Sequence, residues 1–185
     1  MNLDHVFVDV AMTEAKADAD ATAIAVVRTD HRGNVLGAFS EQIGEGGRDY
    51  GVIANAIQAE LIDPYPASYV VVAHHAQLDR DVLARAHRRA KRGPDLFKGR
   101  AWLDTVQLSW PFAYHDLVSS RDLDTICKAF GITNTAPDTA MGDCEALVRV
   151  YWAMMRRLDM ALTGEEAVRN VIGEPIAKLR SIIGF

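Results

Sequence analysis

The chain has 185 residues, of which 49% are hydrophobic and 24% charged. This length and composition predict one domain with a sizeable core and exclude a disordered protein. The net charge of −5 at pH 7 argues against a protein that wraps duplex DNA by bulk electrostatics, because phosphate binding needs clustered Lys and Arg.

No membrane or export signal is visible in the sequence. The longest apolar runs, such as residues 69–73, are too short to span a bilayer, and the acid Asp4 lies where an export signal would be basic. The two cysteines, Cys127 and Cys144, fall in helix-like segments and are interpreted as small buried hydrophobes rather than a disulfide. These features predict a cytoplasmic protein with no membrane partner.

The first part of the chain predicts three strands and a helix. Residues 5–10 form an apolar run typical of a buried strand. Residues 23–29 and 34–41 are strand-like and are separated by a hairpin turn at residues 30–33. Residues 50–62 carry apolar side chains at helical spacing. We therefore expect an antiparallel meander followed by a helix.

The middle of the chain alternates between strands and helices. Residues 69–73 are a continuous β-branched run, as expected of a strand buried on both faces, and residues 76–89 are helical. A short fifth strand at residues 101–104 precedes helices at residues 105–110 and 121–130. Gly131 directly follows the second of these helices and is expected to cap it.

From residue 140 onward, apolar side chains repeat every three or four residues, which predicts a long amphipathic helix. Residues 1–162 thus form one α/β domain with a mixed five-stranded sheet flanked by helices. Its first three strands are antiparallel and the later ones parallel. Residues 163–185 are expected to be a helical tail that packs on the domain or on a partner, and its Ile and Leu side chains leave a homodimer open.

Three acidic residues lie at element ends that an α/β sheet brings to one edge. Asp9 is near the end of the first strand, Asp79 just inside the helix after the fourth strand, and Asp143 near the start of the long helix. Two-metal phosphodiester hydrolysis needs such converging carboxylates, since Mg²⁺ and Mn²⁺ prefer hard oxygen ligands. The pattern predicts a metal-dependent site.

The motifs around these acids resemble those of the DEDD 3′–5′ exonucleases, the DnaQ-like family of the ribonuclease H-like superfamily. The resemblance covers roughly residues 4–158. Its segments are Val8-Asp9-Val10-Ala11-Met12-Thr13, His74-His75-Ala76-Gln77-Leu78-Asp79, Asp104-Thr105, Phe130-Gly131-Ile132 and Asp138-Thr139-Ala140-Met141-Gly142-Asp143. It implies a ribonuclease H-like fold that removes nucleotides from DNA or RNA 3′ ends with two Mg²⁺ or Mn²⁺ ions.

The resemblance also implies residue roles and partners. Asp9 bridges the two metals, Asp143 holds the metal on the side of the nucleophile, and Asp79 acts on the other metal directly or through water. The residues implied to bind substrate are Val10, Ala11, Met12, Thr13 and His75. For His75, a hydrogen-bonded corner is the alternative. The implied partners are a single-stranded DNA or RNA 3′ end or nucleotides, and a homodimer or a polymerase-type partner is possible.

Three positions depart from the family pattern. Ala11 replaces the Glu that helps bind the nucleophile-side metal, and Ala23 stands where the family commonly has a Glu in the second strand. Asp138 stands where one subgroup has a catalytic His as general base; an aspartate is a weak base unless its surroundings raise its pKa, so Asp138 could instead bind metal. Ala11 is either a natural loss or a deliberate substitution, and the other two departures favour natural loss.

The leading hypothesis is therefore a metal-dependent 3′–5′ exonuclease that is weak or inactive because of Ala11. The rival is a catalytically dead pseudo-exonuclease that binds nucleic acid or nucleotides as a regulatory or partner subunit. A stand-alone oligonucleotide-trimming enzyme is a third possibility. The basic cluster at residues 85–92, continued by Lys98 and Arg100, is either a solvated helix face or an edge that contacts phosphate.

Overall fold

The fold is that of a computed structural model, which describes residues 3–13, 19–91, 93–113 and 119–163. The short helices predicted in the C-terminal tail lie outside the described residues. Within the described ranges, no helix combines the length and apolarity needed to cross a bilayer. Cys127 and Cys144 are both free and buried, which confirms their interpretation as small buried side chains.

One mixed sheet of five strands organises the domain, as predicted. Its order is β3-β2-β1-β4-β5, with the first three strands antiparallel and with β4 and β5 parallel to β1. Every residue of β4 is buried, as its β-branched sequence predicts for a central strand. The strands are β1 (Asp4–Met12), β2 (Ala21–Thr29), β3 (Val35–Gln42), β4 (Tyr69–Ala73) and β5 (Trp102–Asp104).

The helices follow the prediction with one correction. They are α1 (Tyr50–Ile57), extended by a wider turn at Gln58–Ile62, then α2 (Ala76–Ala90), α3 (Thr105–Leu108), α4 (Trp110–Ala113), α5 (Leu123–Ala129) and α6 (Ala140–Thr163). The single helix expected at residues 105–110 is wrong, because α3 ends before Ser109 and α4 starts at Trp110. Pro111 accounts for the break: proline has no N–H to donate and its ring clashes with the carbonyl four residues earlier.

The two faces of the sheet carry different helices. Val6, Val8 and Val10 pack in a core with α1 and α2, whereas Phe7 packs with α6 on the opposite face. Side chains alternate between faces along a strand, so Asp9 lies on the same face as Phe7 and Ala11, the face that α6 covers. This alternation is what directs Asp9 toward the start of α6.

A buried ion pair ties the sheet to the segment before β4. Arg28 is 0% exposed, and its Nε and Nη2 donate to Asp4 Oδ2 at 3.1 and 2.8 Å. Its Nη1 donates to the carbonyl of Leu61 at 2.9 Å, and Nη2 donates to that of Ala67 at 3.1 Å. Arg28 thereby holds the end of the wider turn and the entry to β4 against β1, which fixes the strand that leads to Asp79.

Candidate active site

Asp9 lies near the end of β1, opposite Ala25 of β2, on the face covered by α6. Burial raises the pKa of Asp9 to about 7, and the charge of Asp143 raises it in the same direction. A carboxylate is shifted in this way when it loses water and gains a like charge without a compensating cation. The charge of Asp143 is therefore close enough to influence the titration of Asp9.

Asp143 is held in the first turn of α6 by a residue that the sequence did not indicate. Asn134 Nδ2 donates to Asp143 Oδ1 at 2.6 Å. Burial raises the pKa of Asp143, the Asn134 hydrogen bond opposes that rise, and the charge of Asp138 adds to it. The only sequence signal for Asn134 was its place in a polar loop, because nothing local indicates that its amide faces a carboxylate nine residues later.

Gly142 allows the loop that carries Asn134 to touch α6. A Cβ at residue 142 would lie 1.9 Å from the carbonyl oxygen of Ala136, far inside van der Waals contact. Thr139 completes the junction: its hydroxyl donates to the same carbonyl at 2.7 Å and accepts from the Gly142 N–H at 3.1 Å. The glycine in the motif before Asp143 is thus required for close packing.

Asp79 lies in the first turn of α2 and is only 4% exposed. Its Oδ2 atom is buried without a hydrogen-bond partner among the described residues. The pKa of Asp79 is raised well above its usual range. Burial is the main cause, and the charges of Asp9 and Asp104 raise the pKa further. In the described part of the chain, no Lys or Arg forms an ion pair with Asp79, Asp9 or Asp143. Asp9 thus couples the three acids, which have no cationic partner among the described residues.

The corner between β4 and α2 is built on hydrogen bonds. His75 has a left-handed backbone with φ of 61°, and its N–H donates to Asp104 Oδ1 at 3.1 Å. The same oxygen accepts from the Val106 N–H at 2.9 Å and caps α3. The ring of His74 shares a 2.9 Å hydrogen bond with the hydroxyl of Thr105, and burial lowers the pKa of His74 to about 4. A hydrogen-bonded corner, the alternative considered for His75, accounts for these contacts. The side chain of His75 is exposed.

A groove of about 1100 Å³ opens at Ala11, and its described lining does not include Asp9, Asp79 or Asp143. Ala11 and Ala23 line it from the sheet, Thr13 lines it directly after β1, and Asp138 lines it from the loop before α6. Asp138 is exposed and has a left-handed backbone with φ of 61°. The structure thus brings Ala11, Thr13 and Asp138 together at one surface.

The other two predicted substrate residues of β1 face the opposite side of the sheet. Val10 is 5% exposed in the core that α1 and α2 cover, and Met12 packs against the same core. Their side chains are therefore turned away from the groove. A contact between these two residues and a strand in the groove would have to come from their backbone atoms.

The carboxylates are chemically suited to bind a divalent cation, but there are too few of them to hold it firmly. Asp9, Asp79 and Asp143 offer hard oxygens and excess negative charge, as Mg²⁺ and Mn²⁺ require. Among the described residues, however, no group of three or more His, Cys, Asp or Glu side chains is placed to hold an ion. Ala11 contributes a methyl group where the family pattern has a carboxylate, and Asn134 engages one oxygen of Asp143.

Comparison with proteins of known structure identifies the fold. No protein-family model matches the chain, and no curated protein matches its sequence. Structures of exonuclease I do match. One, concerned with how processivity is achieved, aligns with a TM-score of 0.65 at 15% identity, over 85% of this chain and 44% of that chain. E. coli exonuclease I in complex with a dA16 oligonucleotide aligns with a TM-score of 0.64 at 16% identity, over 83% of this chain and 41% of that chain.

A third match is the zinc-bound form of the E. coli exonuclease I complex with single-stranded DNA. It aligns with a TM-score of 0.62 at 16% identity, over 85% of this chain and 41% of that chain. The chain thus spans less than half the length of these exonuclease I chains. At such identities the match establishes the fold alone, which is the ribonuclease H-like fold that exonuclease I also has.

Proposed function

We propose that the chain is a metal-dependent 3′–5′ exonuclease of low activity that acts on single-stranded DNA or RNA ends. The observation that carries the proposal is the charge coupling of Asp9 with both Asp79 and Asp143, at one edge of a sheet with the exonuclease I fold. The charge of Asp143 raises the pKa of Asp9, the charge of Asp9 raises the pKa of Asp79, and a bound cation would favour the ionised form of all three. Such clusters mark functional sites more often than structural ones.

Asp9, Asp79 and Asp143 would hold Mg²⁺ or Mn²⁺. A bound ion of this kind supplies charge stabilisation at the phosphate and a more acidic attacking water. Because the pKa of Asp9 is about 7, its carboxyl carries a proton about half of the time near neutral pH when no cation is bound. Cation binding has to displace that proton, so we expect metal affinity to rise as the pH increases toward about 7 and to level off above it.

The groove beside Ala11 would receive the 3′ end of the strand. Asp138 lies on its rim and is the one acid of the motif that is exposed to solvent there. We assign to Asp138 the acceptance of a proton from the attacking water, the role that the family resemblance implies. The oligonucleotide complexes of exonuclease I, which has the same fold, support a single-stranded substrate.

Low activity follows from the shortage of ligands. Ala11 offers no oxygen, and no group of three donors is placed for an ion among the described residues. The same observation favours a second candidate, a pseudo-exonuclease that binds nucleic acid without cutting it as a regulatory or partner subunit. The two candidates differ in turnover and not in binding. A homodimer and a polymerase-type partner stay predictions.

Digestion of a single strand separates the two candidates. A 5′-labelled oligonucleotide is incubated with the chain and saturating Mn²⁺ beside the Asp9→Ala variant, and a 3′-labelled strand reports polarity. The exonuclease predicts a slow ladder from the 3′ end that Asp9→Ala abolishes. If both proteins bind the strand and neither shortens it, the pseudo-exonuclease is the correct function.

A further inference from the structure

The positive charge of the chain is concentrated around α2. Residues 79–100 contain three of the 25 acidic residues and eight of the 20 basic ones: Arg80, Arg85, Arg88, Arg89, Lys91, Arg92, Lys98 and Arg100. The whole chain nevertheless has a net charge of −5. Four of these residues, Arg85, Arg88, Arg89 and Lys91, lie on the second half of α2 or directly after it and are called the basic face below.

Helix stabilisation explains only part of the basic face. Cations in the last turn of a helix gain roughly 0.3–1 kcal/mol each from the helix dipole, which accounts for Arg88 and Arg89. Arg85 lies a turn earlier, and its guanidinium donates to the carbonyl of Ala19. Arg89 forms an ion pair with Asp20. Arg85 and Arg89 are thus directed across the surface toward the segment between β1 and β2.

The basic face borders a smaller groove that joins the groove of the candidate active site. The smaller groove, of about 310 Å³, is lined by Arg85 and Arg89. Four further residues line both grooves, namely Asp20, Ala21, Ile43 and Gly44. A continuous surface path therefore runs from Ala11 and Asp138, past the start of β2, to α2.

The two grooves differ in charge, because the described lining of the smaller one balances Arg85 and Arg89 against Asp20 and Asp49. The described lining of the larger groove includes Asp138, Glu41 and Glu45 and contains no Lys or Arg. A strand whose end lies there meets negative charge, so its phosphates need cations elsewhere. Arg85 and Arg89 are the first cations along the path, at the smaller groove.

The ion pair of Arg89 does not prevent phosphate binding. Its side chain is 61% exposed and that of Asp20 is 55% exposed. Ion pairs this exposed contribute about 0–1 kcal/mol, so a phosphate can replace Asp20 at little cost. Arg88 and Lys91 are exposed and need no rearrangement.

We propose that the basic face binds backbone phosphates of a single strand several nucleotides before its 3′ end. The strand would leave the candidate active site over the start of β2 and cross α2. The inference rests on the proposed function for placing the 3′ end beside Ala11. Phosphate binding of this kind is sequence-independent and salt-dependent.

Fluorescence anisotropy in EDTA tests the inference without cleavage. Two 5′-fluorescein DNA single strands, of about 4 and about 16 nucleotides, bracket the site sizes known for single-strand grooves. The test variant is Arg88→Gln with Arg89→Gln. The control is Arg32→Gln with Arg156→Gln, which removes the same charge from exposed arginines of the β2–β3 turn and of α6. Thermal melts confirm that both variants are folded.

The test variant is expected to bind the longer strand on the order of tenfold more weakly, and the shorter strand within about twofold of the unmodified chain. For the longer strand, the slope of log affinity against log salt becomes shallower by about 1.4, because each phosphate that a cation neutralises on a single strand adds about 0.7 to it. The control variant is expected to bind both strands with an affinity within about twofold of that of the unmodified chain.

Equal weakening in the test and control variants, or equal weakening at both lengths, overturns the inference. So does failure of the unmodified chain to bind the longer strand. If the test variant binds only the longer strand more weakly and the unmodified chain never cuts, the inference is upheld and the proposed exonuclease function is rejected. If the unmodified chain cuts but the test variant does not lose affinity for the longer strand selectively, the inference alone is rejected.

Discussion

Ala11 and Ala23 are direct partners across the antiparallel β1–β2 pair, and the register of the pair shifts immediately after Ala11. Directly opposed residues have Cβ atoms about 4.5–5.5 Å apart. The two positions at which the family resemblance leads one to expect a Glu therefore face each other, and both line the larger groove. The resemblance would place negative charge at both positions, where this chain has two methyl groups. Because the two positions face each other, one change in the site explains both alanines better than unrelated drift at Ala23 does.

Ala11→Glu is expected to raise Mn²⁺ affinity by about tenfold or more, because the affinity of such sites follows the number of carboxylate ligands. Residue 11 lies two positions after Asp9 and on the same face of β1, so the new carboxylate joins the existing acids. Calorimetric titration with Mn²⁺ measures the change. Ala38→Glu, on an exposed position of β3, adds the same charge away from the groove and is expected to leave the affinity unchanged. Equal affinities in the two variants contradict the assignment of residue 11 to the metal site.

The sequence predicted the architecture because local patterns set it. Tyr69, the three valines and Ala73 of β4 are all buried, and the two-residue alternation in β1 sorts Val8 and Asp9 to opposite faces. The sequence placed Asp9, Asp79 and Asp143 at strand and helix ends, and such ends meet at one edge of an α/β sheet. Element ends can be read from apolar patterns, so the placement of Asp79 and Asp143 needed no tertiary information.

The features that the sequence did not predict depend on contacts between distant segments. Arg28 is completely buried, against the strong preference of arginine for the surface, since its partners come from β1 and from residues 61–67. The hydrogen bond of Asn134 with Asp143 arises because Gly142 lets a loop approach α6. The continuity of the two grooves likewise joins residues far apart in the chain. Apolar periodicity carries no information about such pairings.

Asp9→Asn is expected to stabilise the metal-free fold. The pKa of Asp9 is raised from 3.8 to about 7, so between these values the folded state binds more protons than the unfolded state. The free energy of unfolding therefore falls as the pH rises through this window. Removing the charge should add roughly 1–3 kcal/mol at about pH 8 and flatten the pH dependence between the two values.

Urea denaturation in EDTA across this pH range measures the effect of Asp9→Asn. Asp124→Asn, on an exposed position of α5, serves as the control and should change stability by less than about 0.5 kcal/mol. An Asp9→Asn variant that is less stable than the unmodified chain at about pH 8 would show that Asp9 is not held against like charge.

Gly142→Ala is expected to cost about 3 kcal/mol of stability, since its methyl group would overlap the carbonyl of Ala136. Relief of the overlap moves the loop and breaks the hydrogen bond from Asn134 to Asp143, so Mn²⁺ affinity should also fall. Gly99→Ala is the comparison: it meets no atom within 4 Å and is strained only by its φ of +71°. Its cost is expected to be about 1 kcal/mol. Equal costs for the two variants in urea denaturation argue against the close approach.

Arg28→Met is expected to destabilise the fold by roughly 3–5 kcal/mol, because it leaves the Asp4 carboxylate buried without its partner. The same substitution at Arg48 breaks an exposed ion pair with Glu41, 3.0 Å long, and is expected to cost less than about 1 kcal/mol. Chemical denaturation compares them. If Arg28→Met costs no more than Arg48→Met, the buried pair does not hold β4 against β1.

Under the proposed function, Asp9, Asp79 and Asp143 form a nuclease site whose activity Ala11 limits. The most direct test is the rate at which 5′-labelled single-stranded DNA is shortened in saturating Mn²⁺ by three proteins: the unmodified chain, Ala11→Glu, and Ala11→Glu with Asp9→Ala. We predict slow 3′–5′ shortening by the unmodified chain, shortening at least about tenfold faster by Ala11→Glu, and none by the double variant. A folded Ala11→Glu variant that binds Mn²⁺ and the strand but cuts no faster than the double variant would show that these acids are not a nuclease site.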